Sequence, residues 1–390
     1  MVLAAPFIVV TDGVKVFPEA ANAGNTSVLL NSDFSIKYKF NLADKLDLSL
    51  IGGFNNQYQK AELLAASGNF LTPSITTING AASTTVTAGY SLDQFSVYGQ
   101  YLQGTFGYDN RYFVTAALRR DGASMFSPNE NNQYYPKVST SLVLADNAKG
   151  ALNLAKLRSS WGQAGGLTAL GTYDRFYQFN SPAFLGVSTL VPRSQLANPN
   201  VVPEITTEIE VGGDFAFFNN IVNLGVSYYE QKITDLIVNR TLAATIGGTS
   251  IVNNFGGMEN KGYEIALGLN LIKKKNLSWD ADIIFSQNRN KITNLAGGTT
   301  SFIANSGGAP VALVEGEAAS VFYGTYYARN ADGSLLLTAQ GLPQSDKAGR
   351  DVNGQPIGPA LLKVIGDPNP DWMGSFRTSI TYKNFTLNTS

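Results

Sequence analysis

The sequence predicts an all-β chain: antiparallel strands forming a segment of a transmembrane β-barrel, with short turns on one rim and long loops on the other. Three observations carry this. Strand-like segments alternate oily and wet side chains with period two. Their connections are short, then long, then short again, the asymmetry of a barrel that spans a bilayer. The 390 residues include 39 Gly, 11% aromatics and only 15% charged residues, against roughly 25% charged in an average soluble domain.

The alternation is clearest in four segments. Residues 33–42 place Phe34, Ile36, Tyr38, Phe40 and Leu42 on one face, with Ser35, Lys37, Lys39 and Asn41 on the other. In 262–271, Tyr263, Ile265, Leu267, Leu269 and Leu271 oppose Glu264, Ala266, Gly268 and Asn270. In 279–286, Trp279, Ala281, Ile283 and Phe285 oppose Asp280, Asp282, Ile284 and Ser286. In 372–383, Trp372, Phe376, Ile380 and Tyr382 oppose Met373, Ser375, Arg377, Ser379, Thr381 and Lys383. A soluble sandwich buries its oily face against a second sheet. A membrane barrel turns that face to lipid and lines its lumen with the wet one. On the barrel reading, Asp280, Asp282 and Arg377 face the lumen.

About twelve strands follow in order: 33–43, 46–57, 94–106, 111–120, 134–144, 155–164, 207–217, 221–236, 259–272, 277–288, 372–383 and a segment starting at Asn384. Every second connection is short: Asp44-Lys45, Gly107-Tyr108-Asp109-Asn110, 146–153, Phe218-Asn219-Asn220, 273–276 and Lys383-Asn384. Asp, Asn and Gly supply the turn geometry in most of them. The long connections are 58–93, 121–133, 165–206, 237–258 and 289–371. Loops of that length argue against a compact soluble domain. Strand 221–236 turns polar at Glu230-Gln231-Lys232, so it should project above the lipid before its loop begins.

Composition narrows the function classes. A net charge of -1 leaves no basic footprint for nucleic acid. No run approaches the ~18 apolar residues of a spanning helix. The chain has 0 Cys and 0 His. That removes disulfides, thiol nucleophiles, Ser-His-Asp triads and His-zinc sites, so neither an enzyme nor a cofactor is expected. The N-terminus lacks a charged n-region and a cleavage site. The last residues begin an alternating strand, so an internal fragment of a longer protein is expected.

Candidate sites are weighed against plainer roles. Arg119-Arg120-Asp121-Gly122 closes a strand, where Arg119 is a lumen-facing basic group or part of an ion-paired turn. Glu208, Glu210 and Asp214 share one face of 207–217; they suit acid/base or calcium chemistry, or simply a wet barrel wall. Asn330-Ala331-Asp332-Gly333 and Asp351-Val352-Asn353-Gly354 hint at calcium loops but lack the terminal Glu, which favours turns. Two aromatic clusters, Arg175-Phe176-Tyr177 and Tyr323 with Tyr326 and Tyr327, suit substrate contact, loop packing or contact with a lid protein.

Several stretches also carry a family resemblance. They are Tyr108-Asp109-Asn110-Arg111-Tyr112 with Arg119-Arg120-Asp121-Gly122-Ala123-Ser124-Met125-Phe126, and Lys156-Leu157-Arg158-Ser159-Ser160-Trp161-Gly162. Asn198-Pro199-Asn200 with Glu204, Thr234-Asp235-Leu236-Ile237, Gly257-Met258-Glu259-Asn260-Lys261-Gly262 and Gly366-Asp367-Pro368-Asn369-Pro370 follow in order. Together they resemble the signatures of SusC/RagA-type TonB-dependent outer-membrane transporters. The resemblance covers residues 1–390 as the C-terminal-side part of the barrel, without plug domain, TonB box or final strands. It implies a 22-stranded barrel in a Gram-negative outer membrane, in contact with its lipid. It also implies a TonB energising complex acting through the plug, a SusD-like surface lipoprotein as lid, and import of oligosaccharides or oligopeptides. A non-transporting surface barrel, or a soluble β-rich adhesin or binding module, is the competing reading.

Overall fold

Turn chemistry sets the topology. In the computed structural model, Asp109 and Asn110 both adopt positive φ (53° each), the geometry that reverses a two-residue hairpin without splaying its strands. Phe218, Asn219, Asn220 and Lys383 also sit at positive φ in the connections read as short. The structure describes residues 2–4, 10–11, 14–15, 19–69, 77–81, 85–146, 150–166, 170–295, 301–306 and 309–390.

Twelve wall strands result. They are β1 Glu19–Ala43, β2 Leu46–Asn69, β3 Thr87–Tyr108, β4 Tyr112–Ala123, β5 Asn132–Ala145 and β6 Leu152–Gly166. They continue as β7 Glu204–Phe217, β8 Val222–Thr241, β9 Ser250–Lys274, β10 Leu277–Leu295, β11 Met373–Tyr382 and β12 Phe385–Thr389. Each pairs antiparallel with the next, in sequence order. Among the described residues β1 and β12 do not meet; β1 pairs on its other side with Val2–Ala4. The wall is thus an open sheet, consistent with part of a barrel.

Register carries the alternation across strands. One level runs Tyr38, Leu50, Gly104, Ala116, Val138 and Trp161 across β1 to β6. Another runs Phe215, Leu224, Leu267, Ile283 and Phe376 across β7 to β11. The apolar face is therefore continuous. It is also open: Ile265 and Ile283 are 37% and 40% exposed, and no described element covers them. A sandwich would have buried both.

Two aromatic girdles bound this face. Toward the turns stand Tyr108 and Tyr112, whose rings lie 6.1 Å apart, with Phe217, Trp279 and Tyr382. Toward the loops, Tyr228 and Tyr263 lie 5.0 Å apart, flanked by Trp161 and Trp372. On β10 the stretch between girdles, 279–287, matches the ~9–11 residues of a tilted spanning strand. One level above, the same face carries Glu230, Lys261 and Arg289 side by side. Charges at that level mark where lipid gives way to water.

The loop ends differ from the sequence expectation. β1 begins at Glu19 rather than residue 33, β2 runs to Asn69 rather than 57, and β10 runs to Leu295 rather than 288. Above the lipid neither face has to be greasy, so the alternation fades while the backbone ladder continues. The connection 289–371 also holds a small antiparallel sheet of Ser301–Ser306, Ala309–Leu313, Val321–Thr325 and Leu362–Gly366. The low-complexity stretches 81–87 and 295–301 lie partly outside the described residues.

The buried core sits at the loop rim. Ala123, Met125, Phe126, Leu170, Val201, Ile237 and Val252 form one cluster there, and Val238, Ile292 and Leu295 a second.

Candidate functional site

The face opposite the apolar one is polar, and register places all seven expected wall residues on it. Arg119 lies level with Tyr101 and Tyr135. Glu208, Glu210 and Asp214 follow on β7, and Asp280, Asp282 and Arg377 on β10 and β11, with Asp282 directly opposite Arg377. They do not converge on a single point. They are spread from β4 to β11, with hydroxyls such as the bonded pair Thr105 and Thr115 (2.9 Å) among them.

Each of the three β7 carboxylates stands beside a donor or a cation. Gln231 Nε2 donates to Glu208. Arg158 Nη1 donates to Glu210, its Nη2 donates to Ser227 Oγ at 2.5 Å, and its Nε lies 3.7 Å from Asp214. Arg158 thus ties β6 to β7 and β8 over Gly212, whose missing side chain leaves room for the guanidinium. Arg119 pairs with Asp121 two residues along β4 at 2.5 Å. Residues 119–123 are strand, so the expected turn at Arg119-Arg120-Asp121-Gly122 is corrected, while the ion pair is present. Among the described residues no group of three or more acidic side chains is placed to hold a metal ion. The arrangement supplies fixed polar partners along a wall rather than a reacting centre.

Tyrosines lie flat against this face where a glycine faces them. A Cβ on Gly53, Gly165 or Gly262 would stand 2.5, 2.0 or 2.5 Å from Tyr101, Tyr135 or Tyr229. Only glycine permits that approach, and it keeps the rings low on the wall.

At the rim, the motifs behind the resemblance act as fasteners. Asn198 Nδ2 donates to Val252 O at 3.0 Å, tying loop 170–203 to β9. The Ile237 N–H donates to Glu204 Oε1 at 2.7 Å. Glu204 is buried above the apolar band, and burial raises its carboxyl above the ordinary value, partly offset by that bond. Asn369 Nδ2 donates to Ala319 O at 3.0 Å, and Asn290 Oδ1 accepts the Ala319 N–H at 2.6 Å. Ala123, Met125 and Phe126 belong to the buried rim cluster. The supposed calcium loops are hairpin turns. Asp332 accepts from Ser334 N at 2.9 Å and Asp351 from Gln355 N at 2.8 Å, with Gly333 and Gly354 at positive φ.

The two aromatic clusters fare differently. The Arg175 guanidinium covers the Phe176 ring at 3.9 Å, and Tyr177 is 74% exposed. Tyr326 and Tyr327 line one groove in the loop between β10 and β11, together with Arg329 and Lys363; Tyr323 and Arg175-Phe176-Tyr177 take no part in it. Sequence reading missed Arg158, Glu204 and the cations beside the tyrosines. Arg158 was legible from its place, with Lys156, on the wet face of 155–164. Lys363 was not, because β pairing brings it to Tyr326 from 37 residues away.

Comparison with known proteins agrees with this geometry. The family model described as TonB dependent receptor-like, beta-barrel matches residues 11–389. TonB-dependent receptor P3 of Formosa agariphila is 30% identical over 368 residues, which is 88% of this chain and 36% of that protein. TonB-dependent receptor SusC of Bacteroides thetaiotaomicron is 29% identical over 49% of this chain and 20% of its own length. A solved structure of the RagAB peptide transporter superposes with a TM-score of 0.78 at 18% identity, covering 95% of this chain and 42% of that one. The chain thus spans well under half the length of these relatives. It belongs to the TonB-dependent receptor-like β-barrel family, and its sheet is part of a barrel wall in the outer membrane.

Proposed function

We propose that this chain forms part of the lumen wall and the outer loops of a TonB-dependent importer of oligosaccharides or oligopeptides. The observation that carries the reading is the division of one continuous sheet into a lipid face between two girdles and a polar face opposite. On this reading Arg119, Glu208, Glu210, Asp214, Asp280, Asp282 and Arg377 line the lumen. The candidate substrate contacts Arg175, Phe176, Tyr177, Tyr323, Tyr326 and Tyr327 lie in the loops where substrate first arrives. The TonB complex supplies energy through a plug domain, and a SusD-type lipoprotein covers the loops. Likeness to relatives named TonB-dependent receptors supports the TonB coupling, and likeness to RagAB, a peptide transporter, supports the peptide class.

The test is uptake. Cells lacking the gene, and cells lacking TonB, are grown on panels of oligosaccharides and of oligopeptides as sole carbon source. Loss of growth on the same substrate in both strains is the expected result. Undiminished growth of the gene-deleted cells on every member of both panels would refute import as the function.

A further inference from the structure

The loop sheet between β10 and β11 holds a groove of about 590 Å³ that the wall itself does not need. Its polar lining is Thr325, Tyr326, Tyr327, Arg329, Ser345 and Lys363, and no carboxylate lines it. Lys363 Nζ stands 4.0 Å from the centre of the Tyr326 ring. Arg329 spends one donor on Gly333 O at 2.7 Å and keeps the rest of its guanidinium for solvent or ligand. Tyr327 is 56% exposed. Asp346, which hydrogen-bonds Tyr326, is already engaged by Arg350, and that contact together with its hydrogen bonds holds its carboxyl below the ordinary range.

We propose that this groove binds an oligosaccharide whose sugars carry an anionic group, a carboxylate or a sulfate ester. The inference deepens the import reading and rests on it for its biological meaning. Two cations lining the groove with no carboxylate among its walls favour an anion, whose charge-assisted hydrogen bonds offset the cost of desolvating them. The open Tyr327 ring matches the apolar face of a sugar, and the Thr325 and Ser345 hydroxyls match its polar edges. An acidic peptide fits less well. Peptides bind sheets by adding a strand, and here the backbone is already paired. Tyr327 bridges Ser345, Ala328 N donates to Gln344 O at 2.9 Å, and Asp346 N donates to Tyr326 O at 2.8 Å.

The experiment uses the full-length receptor in detergent. Trigalacturonate, a sulfated disaccharide, neutral maltotriose and triglutamate are titrated by calorimetry at low and high salt. Binding of either acidic sugar, weakened by salt and about tenfold tighter than maltotriose, is expected. Lys363→Gln and Arg329→Gln should each weaken acidic-sugar binding by roughly tenfold, and Lys363→Arg should restore most of the lost affinity. Both positions are exposed, so unchanged heat-modified migration in gels will show that the barrel still folds. Equal affinity for maltotriose, tighter binding of triglutamate, or indifference to both Gln variants would each overturn the proposal. The import reading survives such a failure if uptake still depends on the gene, whereas binding without gene-dependent uptake would sink import and leave the groove standing.

Discussion

At the turn end of the wall the strands meet through a few residues, while at the loop end β1 and β2 run on as a paired ribbon from Ser32–Asn56 up to Glu19–Asn69. Below that ribbon every second side chain is greasy because hydrocarbon faces it. Within it, Leu29 and Leu30 are both more than half exposed although they point to opposite faces. The lower wall is held by its solvent, and the upper wall by ladders, buried clusters and side-chain fasteners. The contrast teaches that the same strand obeys two rules along its length.

A charge placed on the apolar face separates the two rules most sharply. Ile283, midway between the girdles, should lose about 2–4 kcal/mol on replacement by Arg, whereas Leu30→Arg in the ribbon should lose about 0–1 kcal/mol. Equilibrium unfolding of the full-length receptor in lipid vesicles measures both. Similar losses at the two sites would mean that lipid does not face Ile283.

Crowding on the polar face is the next largest effect. A Cβ at Gly262 would meet the Tyr229 ring at 2.5 Å and the Gln287 carbonyl at 2.6 Å, and the carbonyl cannot step aside. Gly262→Val should therefore lose about 1–3 kcal/mol or block assembly. Gly89, at the loop-side end of β3, has nothing within 4 Å, so Gly89→Val should stay within about 0.5 kcal/mol. The yield of heat-modifiable barrel after refolding compares them.

What could be read from the sequence follows the same division. The turn-side ends of β1, β2, β7 and β10 stand at Ala43, Leu46, Phe217 and Leu277, where alternation and turn residues put them. The loop-side ends do not, because alternation is imposed by lipid and no lipid reaches Glu19 or Leu295. The seven wall residues were legible for the same reason: period two alone assigns Glu208 or Asp282 to a face. The groove was half legible. Tyr326 and Tyr327 are neighbours in the chain, but Lys363 joins them only through strand pairing, which no local pattern announces. Several of the motifs that carry the resemblance, those of Asn198, Glu204 and Asn369 among them, fasten the rim.

Glu204 tests one such fastener, with a smaller effect. Its carboxyl is raised above the ordinary 4.5 by burial. The closed rim therefore holds a proton that an opened rim releases between 4.5 and the raised value. Closure gains stability as pH falls through that window, keeps the gain below it, and is weakest above it. The protection factor of the Ile237 amide, its intrinsic exchange rate at each pH divided by the observed one, should accordingly rise on acidification from neutral pH. Glu204→Gln, neutral at every pH and still able to accept the Ile237 N–H, should flatten that dependence and leave the latch at neutral pH no weaker than in the wild type. A slope that survives in Glu204→Gln would place the titrating group elsewhere.

The smallest effect concerns the row where the two rules meet. Lys261 bonds Glu230 at 3.1 Å across β8 and β9, one level above the Tyr228–Tyr263 pair. Both side chains are more than a third exposed, so Lys261→Ala should lose only about 0–1 kcal/mol, and less in high salt. Its informative consequence is positional. Lys261→Leu would extend the greasy face of β9 by one level, and a barrel lowers its free energy by sinking that level into hydrocarbon. A spin label on the exposed Lys291, one level higher on the same face, should then become more accessible to oxygen dissolved in the lipid and less accessible to a water-soluble nickel quencher. If both accessibilities stay unchanged, the charge row does not set the depth, and the aromatic girdle beneath it does so alone.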